Sequence, residues 1–527
     1  MVTTLDVTIP AQLTLALVPD LLLMLGAMVL LVYSVWRPES QAHQRRTGMA
    51  SIVLCGLTML VSLYWARNFT ATPGPIAIDN FRWFMDFVIL LGTVFAIALS
   101  MDDNMRSGIT TAESHVLILL ASSGMMLLAA ARDLMIVFLG IELMSVAVYA
   151  LAGTNRRSEA SAEGALKYFL LGAFSTAFLL YGIALVYGAT GSTNLAVIAG
   201  RTTMYNLVGS PLLIAGIALI LIGFAFKVAT VPFHMWAPDV YDGSPSAVTA
   251  YMAATVKAAA FAAFIRVWLE AFPFSFNAWH PALSGLAIAT MIVGNAIGLA
   301  QKNLKRMLAY SSIAHAGYLL VAIAAGTFQG SSAMLFYLFI YTLGTFGAFA
   351  VVVALTRDGQ PTVMLDELDG LWTVRPGLAV AMGVIMLALM GFPIVGGAGF
   401  LAKWYVLQAA LQAPVRQTVL AVVLVLTTVI SAGYYLYVLV RMFMRPRPEA
   451  YPAPERTGGL TQAVLALSVT LLLILGLVPE GAIQFARISR PRMDVEPVTT
   501  SIPPTAVVAP PDSVRRVAEG AAPTREE

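Results

Sequence analysis

Residues 211–240 read PLLIAGIALILIGFAFKVATVPFHMWAPDV. Sixteen residues without a charge lead to Lys227, and Pro232 follows five residues later. A run of this kind is long enough for a membrane helix, which needs ~20 residues to cross ~30 Å of hydrocarbon. Proline removes a backbone donor and clashes with the preceding turn, so the helix must break part-way. Non-helical backbone at that depth survives only where protein or water covers it. The stretch therefore predicts an all-α, polytopic membrane protein with a lysine beside an internal helix break.

The rest of the chain agrees. Of 527 residues, 59% are hydrophobic and 11% charged, against roughly 25% charged in soluble domains. Fourteen apolar stretches, separated by charged or turn-rich loops, predict about fourteen transmembrane helices. They fall at 13–35, 48–66, 80–101, 114–131, 133–153, 165–188 and 211–240. The remainder are 245–270, 280–301, 307–326, 331–355, 376–413, 417–443 and 461–479. The first is too long for a signal-peptide core and reads as a retained span. The lipid bilayer is thus the surrounding medium, and a net charge of +3 gives no reason to expect nucleic acid. Cys55 is the one cysteine, which excludes a Cys-ligated cluster and an intrachain disulfide.

The twelfth stretch is broken too, by Gly391-Phe392-Pro393-Ile394-Val395-Gly396-Gly397-Ala398-Gly399. Leu221-Ile222-Gly223-Phe224 precedes Trp236 by the spacing at which Leu389-Met390-Gly391-Phe392 precedes Trp404. Paired broken helices in two halves of a chain point to a transport site. The expected organisation is a three-helix segment (1–113), a first five-helix unit (114–270, helices 4–8) and a second (271–443, helices 9–13). A last helix (444–486) follows, and then an aperiodic tail (487–527) expected to be disordered. Fourteen short-loop Lys and Arg residues fall on one side and five on the other, which puts both termini outside the cytoplasm.

Several charges lie far inside the apolar stretches. Glu142 follows Asp133 by nine residues, Lys257 is about twelve residues into its span, and Lys403 comes just after the second break. His315 lies a little way into the tenth span. Each ionisable group at such depth costs about 2.5–3.5 kcal/mol on insertion scales, so these must face the bundle interior. A static Glu142–Lys227 pair is one reading, but it leaves Lys257 and Lys403 without a deep acid. Burial penalises the ammonium form, so a deep lysine without a fixed carboxylate can shed and regain a proton. His234 stands beside the first break and is either a loop histidine or part of the path. Lys305 is chiefly a topology charge that could also serve a cytoplasmic entrance. Tyr341, Tyr434 and Tyr435 read as packing groups. Asp86 reads as the partner of Arg82, four residues earlier.

Residues 226–241 (FKVATVPFHMWAPDVY), followed by Asp242-Gly243-Ser244-Pro245 and by Lys257-Ala258-Ala259-Ala260-Phe261, resemble a signature of the proton-translocating antiporter-like membrane subunits. Residues 304–315 (LKRMLAYSSIAH) resemble a second. The likeness covers at least 113–442. Gly140-Ile141-Glu142-Leu143-Met144-Ser145, residues 165–174 (ALKYFLLGAF) and lysine at 403 look like NADH:quinone oxidoreductase (respiratory complex I) subunit N. Pro393 stands alone where that family usually has a double proline.

The resemblance implies two inverted five-helix repeats with broken helices 7 and 12. It implies a subunit of a proton-translocating quinone oxidoreductase with no cofactor of its own. NADH, FMN, iron–sulfur clusters and quinone would be on partner subunits. Other membrane subunits, including antiporter-like subunit M and small subunits such as K, would adjoin it in a bacterial inner membrane. Carried over by position, Glu142 and Lys227 form a switching pair, Lys257 and His315 a central relay, and Lys403 a terminal carrier. Three other readings remain open. They are a homologous subunit of a multisubunit cation/proton antiporter or membrane-bound hydrogenase, a stand-alone solute transporter, and a structural scaffold.

Overall fold

The computed structural model describes residues 3–72, 74–356, 364–394, 397–448 and 457–491. Among them twelve helices are long and apolar enough to cross a membrane, and two shorter apolar helices stand before the predicted breaks. In chain order these and their short companions are α1 (Val18–Trp36), α2 (Gln41–Asn68), α3 (Asn80–Arg106), α4 (Glu113–Ala130), α5 (Leu134–Ala152) and α6 (Glu159–Thr190). Next come α7 (Pro211–Lys227), α8 (Ala237–Gly243), α9 (Ser246–Glu270), α10 (Phe276–Leu299), α11 (Leu304–Ala324) and α12 (Phe328–Leu355). The last are α13 (Pro376–Met390), α14 (Gly397–Gln412), α15 (Thr418–Met444), α16 (Gly459–Leu477) and α17 (Glu480–Ile488). The all-α membrane reading holds, with one addition. Strands Thr3–Leu5 (β1) and Phe69–Ala71 (β2) pair in parallel beside α2 and the short helix Pro10–Ala16.

Helix starts are set by polar residues just outside the apolar runs. Asp79, Asp133, Asn303 and Thr327 each accept a hydrogen bond from a first-turn amide of α3, α5, α11 and α12. Such caps satisfy donors that lipid cannot. The helices then pack through small residues, as membrane helices do. A Cβ on Gly216 of α7 would lie 3.0 Å from the Gly182 carbonyl of α6, and one on Gly294 of α10 would lie 2.7 Å from the Ala314 amide of α11. These contacts draw the backbones together around α9 and α12, which are buried along their whole apolar windows. By contrast α1 and α2 expose most of theirs, including Val32 and Leu60, as lipid-facing helices should.

Both predicted interruptions are present. α7 stops at Lys227 with Ala229 in the left-handed region (φ 58°); the Ala229 amide donates to Phe226 O and the Thr230 amide to Ala225 O. α13 stops in the same pattern, with Gly391 left-handed (φ 86°), its amide donating to Ala388 O and the Phe392 amide to Leu387 O. This is the Schellman way of ending a helix. The equivalence it sets, Ala229 with Gly391, is not the one the tryptophan spacing suggested. Gly223 lies inside α7, where an added Cβ would come within 2.8 Å of Leu179 Cβ, whereas Gly391 is itself the cap. The sequence match thus aligned two glycines with different duties. Residues 395–396 of the second break lie outside the described residues.

One boundary moves and one span is irregular. Helix α17 runs to Ile488, across the predicted start of the tail, because its apolar side meets the bundle through Ile483 and Ala486. The rest of the expected tail, 492–527, lies outside the described residues. The eighth span is helical but carries a π segment, Met252–Val256, directly before Lys257.

Candidate functional site

Glu142, Ser145 and Tyr149 follow one another at three and four residues along α5, so they share a face. Lys227, the last residue of α7, reaches that face. Its Nζ donates to Ser145 Oγ at 2.8 Å and to Tyr149 OH at 3.2 Å. Glu142 is half-buried, its Oε1 has no hydrogen-bond partner, and it makes no ion pair with Lys227. The expected pair therefore shares one face of α5, but Lys227 bonds the hydroxyls of that face and not the carboxylate. Room for the phenol comes from α6. A Cβ on Gly172 would collide with the Tyr149 hydroxyl, and Tyr168 stacks on Trp236 with ring centroids 4.3 Å apart.

The first break is tied down by side chains. Trp236 Nε1 donates to Phe226 O at 3.2 Å, and the Val231 amide donates to Thr290 Oγ1 at 3.0 Å. Backbone groups released by the interruption are thereby satisfied inside protein, as low dielectric demands. His234 lies in this turn, half-buried, and makes no hydrogen bond to the lysines or to His315.

Lys257 is the first residue after the π segment, a distortion that often accompanies function. Its Nζ donates to Ser312 O at 2.7 Å and also to Ser312 Oγ. His315 sits three residues further along α11. Its Nδ1 is 2.6 Å from Tyr337 OH and its Nε2 is 3.1 Å from Tyr435 OH, which in turn is 2.5 Å from Ser311 Oγ. Lys257 and His315 thus meet the same turn of α11, with Tyr435 bridging His315 to Ser311. Tyr341 meets the histidine by its ring, with centroids 4.9 Å apart.

Lys403, in α14, folds back on the first half of its own broken helix. Nζ donates to Met390 O at 2.9 Å, capping the carbonyl end of α13, and lies 4.8 Å from the Tyr318 ring centroid. Tyr318 is three residues beyond His315 and leads on through Asn295 to Tyr434, with hydrogen bonds of 3.0 Å at each step. The close approach of α13 and α14 requires glycine: a Cβ on Gly399 would run into the Ala388 carbonyl. Lys305 is fully buried but fixed by backbone, donating to Asp242 O at 2.9 Å and Ser244 O at 2.7 Å at the end of α8. It lies ten residues, about 15 Å of helix, from His315.

The ionisable groups were legible in the sequence as charges in apolar runs, and most of their hydrogen-bond partners were not. Ser145 and Tyr149 were legible from their spacing to Glu142. Asn295 was legible as an amide in an apolar run. Nothing in the sequence places Tyr337 against His315, and Tyr434 and Tyr435, expected to pack, carry hydrogen bonds. Among the described residues no three His, Cys, Asp or Glu side chains converge as a metal site.

Comparison with known proteins bears on this arrangement directly. Residues 131–431, which hold Glu142, Lys227, Lys257, His315 and Lys403, match the family described as NADH:quinone oxidoreductase/Mrp antiporter, TM. The chain belongs to this family. Relatives within the family include NADH-quinone oxidoreductase subunit N of Gemmatimonas aurantiaca, 52% identical over 518 residues, 95% of this chain and 96% of that protein. Subunit N of Trichlorobacter lovleyi is 43% identical over 472 residues, 89% and 96% of the two chains. Among solved structures, a chain of respiratory complex I from Thermus thermophilus with bound aureothin superposes with a TM-score of 0.74 at 36% identity. It covers 89% of this chain and 99% of that one. A chain of the Mrp complex from Dietzia sp. DQ12-45-1b shares the family fold, with a TM-score of 0.77 at 21% identity over 90% and 97% of the two chains.

Proposed function

We propose that Glu142, Lys227, Lys257, His315 and Lys403 form a proton path through the middle of this subunit. One observation carries the reading. Lys227, Lys257 and Lys403, all buried, donate only to neutral oxygens, those of Ser145, Tyr149, Ser312 and Met390. Among the described residues no carboxylate lies within 4.0 Å of any of them. A charge held this way gains little from being permanent, because burial costs it several kcal/mol and no opposite charge offsets that. Hydroxyls and imidazole around it can both give and take a proton. That is the chemistry of a relay, and it is unlike a scaffold's locked ion pairs.

The chain is a proton-translocating membrane subunit of the complex I and antiporter type, a multi-pass protein of bacterial membranes that works within a larger redox complex. The 52% identity to a subunit N favours quinone oxidoreductase over a cation/proton antiporter. In the finer reading, quinone reduction on partner chains draws Glu142 towards or away from Lys227. The proton passes to Lys257 and His315 and leaves by Lys403. His234 and Lys305 flank the path as secondary groups. The chain crosses the membrane fourteen times with both termini on the periplasmic side, beside antiporter-like subunit M and a small subunit of the K type. Units 114–270 and 271–443 are inverted repeats. The matching caps at Ala229 and Gly391 support that division.

Lys227→Ala tests the path. The variant should assemble, since alanine removes a buried charge without adding volume, and its proton pumping in proteoliposomes should fall at least ~10-fold, against the ~100-fold or more that a positioned proton carrier contributes. Glu142→Gln should be milder, because it removes only the charge that tunes its partner. Normal pumping by assembled Lys227→Ala complex would end the proposal.

A further inference from the structure

The family match begins at residue 131, yet helix α3, which precedes it, carries a buried polar file of its own. Arg82, Asp86, Thr93, Ser100 and Asn104 fall at intervals of four and seven, which keeps them on one face of a helix. All are buried, Arg82, Asp86 and Thr93 completely. A span packed only against apolar neighbours has no use for such a stripe, and each member costs free energy unless partnered.

Partners exist along most of it. Thr93 Oγ1 is 2.6 Å from Ser122 Oγ of α4, and that oxygen is 2.6 Å from Tyr251 OH of α9. Tyr251 is the residue directly before the π segment that leads to Lys257. Towards the end of α3, Asn104 Nδ2 donates to Ser100 Oγ at 3.2 Å, and the neighbouring Asp103 accepts from the Ala247 amide at 3.2 Å.

The start of the file is different. There, among the described residues, four carboxyls share three guanidinium groups. Arg266 clasps Asp79 with two bonds of 2.9 and 3.0 Å and also holds Glu270 at 3.0 Å, while Arg132 holds Glu270 at 2.9 Å. Arg82 donates to Asp20 of α1. What remains for Asp86 is the Arg82 Nε at 3.6 Å, too long for a hydrogen bond, and neither Asp86 oxygen has a hydrogen-bond partner. A fully buried carboxylate with no donor is far more costly than the protonated acid. The i to i+4 pair expected from the sequence is thus the loosest contact in the cluster.

We propose that Asp86 is a proton-binding group of this subunit, protonated in the conformation seen here and exchanging its proton during turnover along the buried face of α3. The inference rests on the proton-translocating reading above. Only the Asp86 O–H bond is broken and remade, and no electron moves. The proton passes to water between Asp86 and Thr93, two helical turns or about 10 Å apart, and the three hydroxyls lead on to the α9 turn before Lys257. Arg82, already within reach, stabilises the carboxylate left behind.

The test uses the assembled complex carrying Asp86→Asn or Asp86→Glu. Asparagine keeps the shape of the neutral acid but cannot release a proton. Proton pumping by Asp86→Asn complex should fall at least about three-fold, with glutamate retaining most of it. Redox-difference infrared spectra should contain a protonated-carboxyl carbonyl band that shifts in D2O and is missing from Asp86→Asn. Unchanged pumping in assembled Asp86→Asn complex, or a full set of carboxyl bands in it, would overturn the proposal. Should Asp86→Asn fail to assemble, the carbonyl band of Asp86→Glu decides the point, and an unmoved band counts against it. Lys227→Ala in the same liposomes keeps the two readings apart, since normal pumping there would remove the central path while leaving the Asp86 band to be judged by itself.

Discussion

Replacing Lys403 by methionine or by arginine separates a proton carrier from a fixed charge. Methionine fills the space of the side-chain stem without its charge. It gives up the bond to Met390 O and the contact with the Tyr318 ring. A charge-assisted hydrogen bond is worth about 1.5–3 kcal/mol and a cation–π contact about 0.5–2 kcal/mol. Against this, removing a buried ionisable group recovers about 2.5–3.5 kcal/mol. The two nearly cancel, so the methionine variant should assemble at close to wild-type levels. Pumping in proteoliposomes should nevertheless drop at least ~10-fold, because a positioned proton donor or acceptor contributes that much or more. Arginine keeps the charge and can still cap the α13 carbonyl end, but guanidinium does not deprotonate in proteins. A carrier role therefore makes arginine nearly as damaging as methionine at matched assembly. If arginine restores more than half of the pumping while methionine abolishes it, Lys403 is an electrostatic brace and the reasoning fails.

Other expectations follow from the same geometry. Tyr435→Phe removes the hydroxyl between Ser311 and His315 and should slow pumping several-fold, whereas Tyr341→Phe, whose ring alone meets His315, should leave it near normal in the same assay. Gly399→Val drives a side chain into the Ala388 carbonyl and should cost more than ~3 kcal/mol by over-packing and backbone shift, seen as lost assembly on native gels. Gly285→Ala, with nothing near its Cβ, should be neutral or stabilising by up to ~1 kcal/mol in the thermal unfolding of the purified complex. A protease or thiol label should reach the C-terminal tail from the periplasmic side of intact cells, and access only from the cytoplasm would reverse the orientation.

How far these arguments could run ahead of the structure differs from residue to residue. Solvent, class and breaks were decided locally. An apolar run of twenty residues has only a helix available to it in lipid, because every backbone amide must find its partner within the segment. Pro232 at one place and Gly391 with Pro393 at the other work against that helix, so α7 and α13 end near the positions that the one-dimensional pattern marks. The deep lysines were equally plain, since a charge in an apolar run stands out in the sequence itself.

What each lysine touches was decided only by packing. The bond from Lys257 to Ser312 spans 55 residues and that from His315 to Tyr435 spans 120, separations across which neither periodicity nor spacing carries information. Glu142 and Lys227 were expected as a pair on charge alone. The fold instead gives Lys227 the hydroxyls of Ser145 and Tyr149 as partners, with Gly172 of another helix leaving space for the phenol. The Asp86 carboxyl looked like half of a local pair with Arg82. It became the odd acid of a cluster only when α1 and α9 brought Asp20, Arg266 and Glu270 to the same place. Local sequence specifies where a helix runs and which groups are costly to bury. The partners that offset that cost come from other helices, and only the tertiary fold decides which of them arrive.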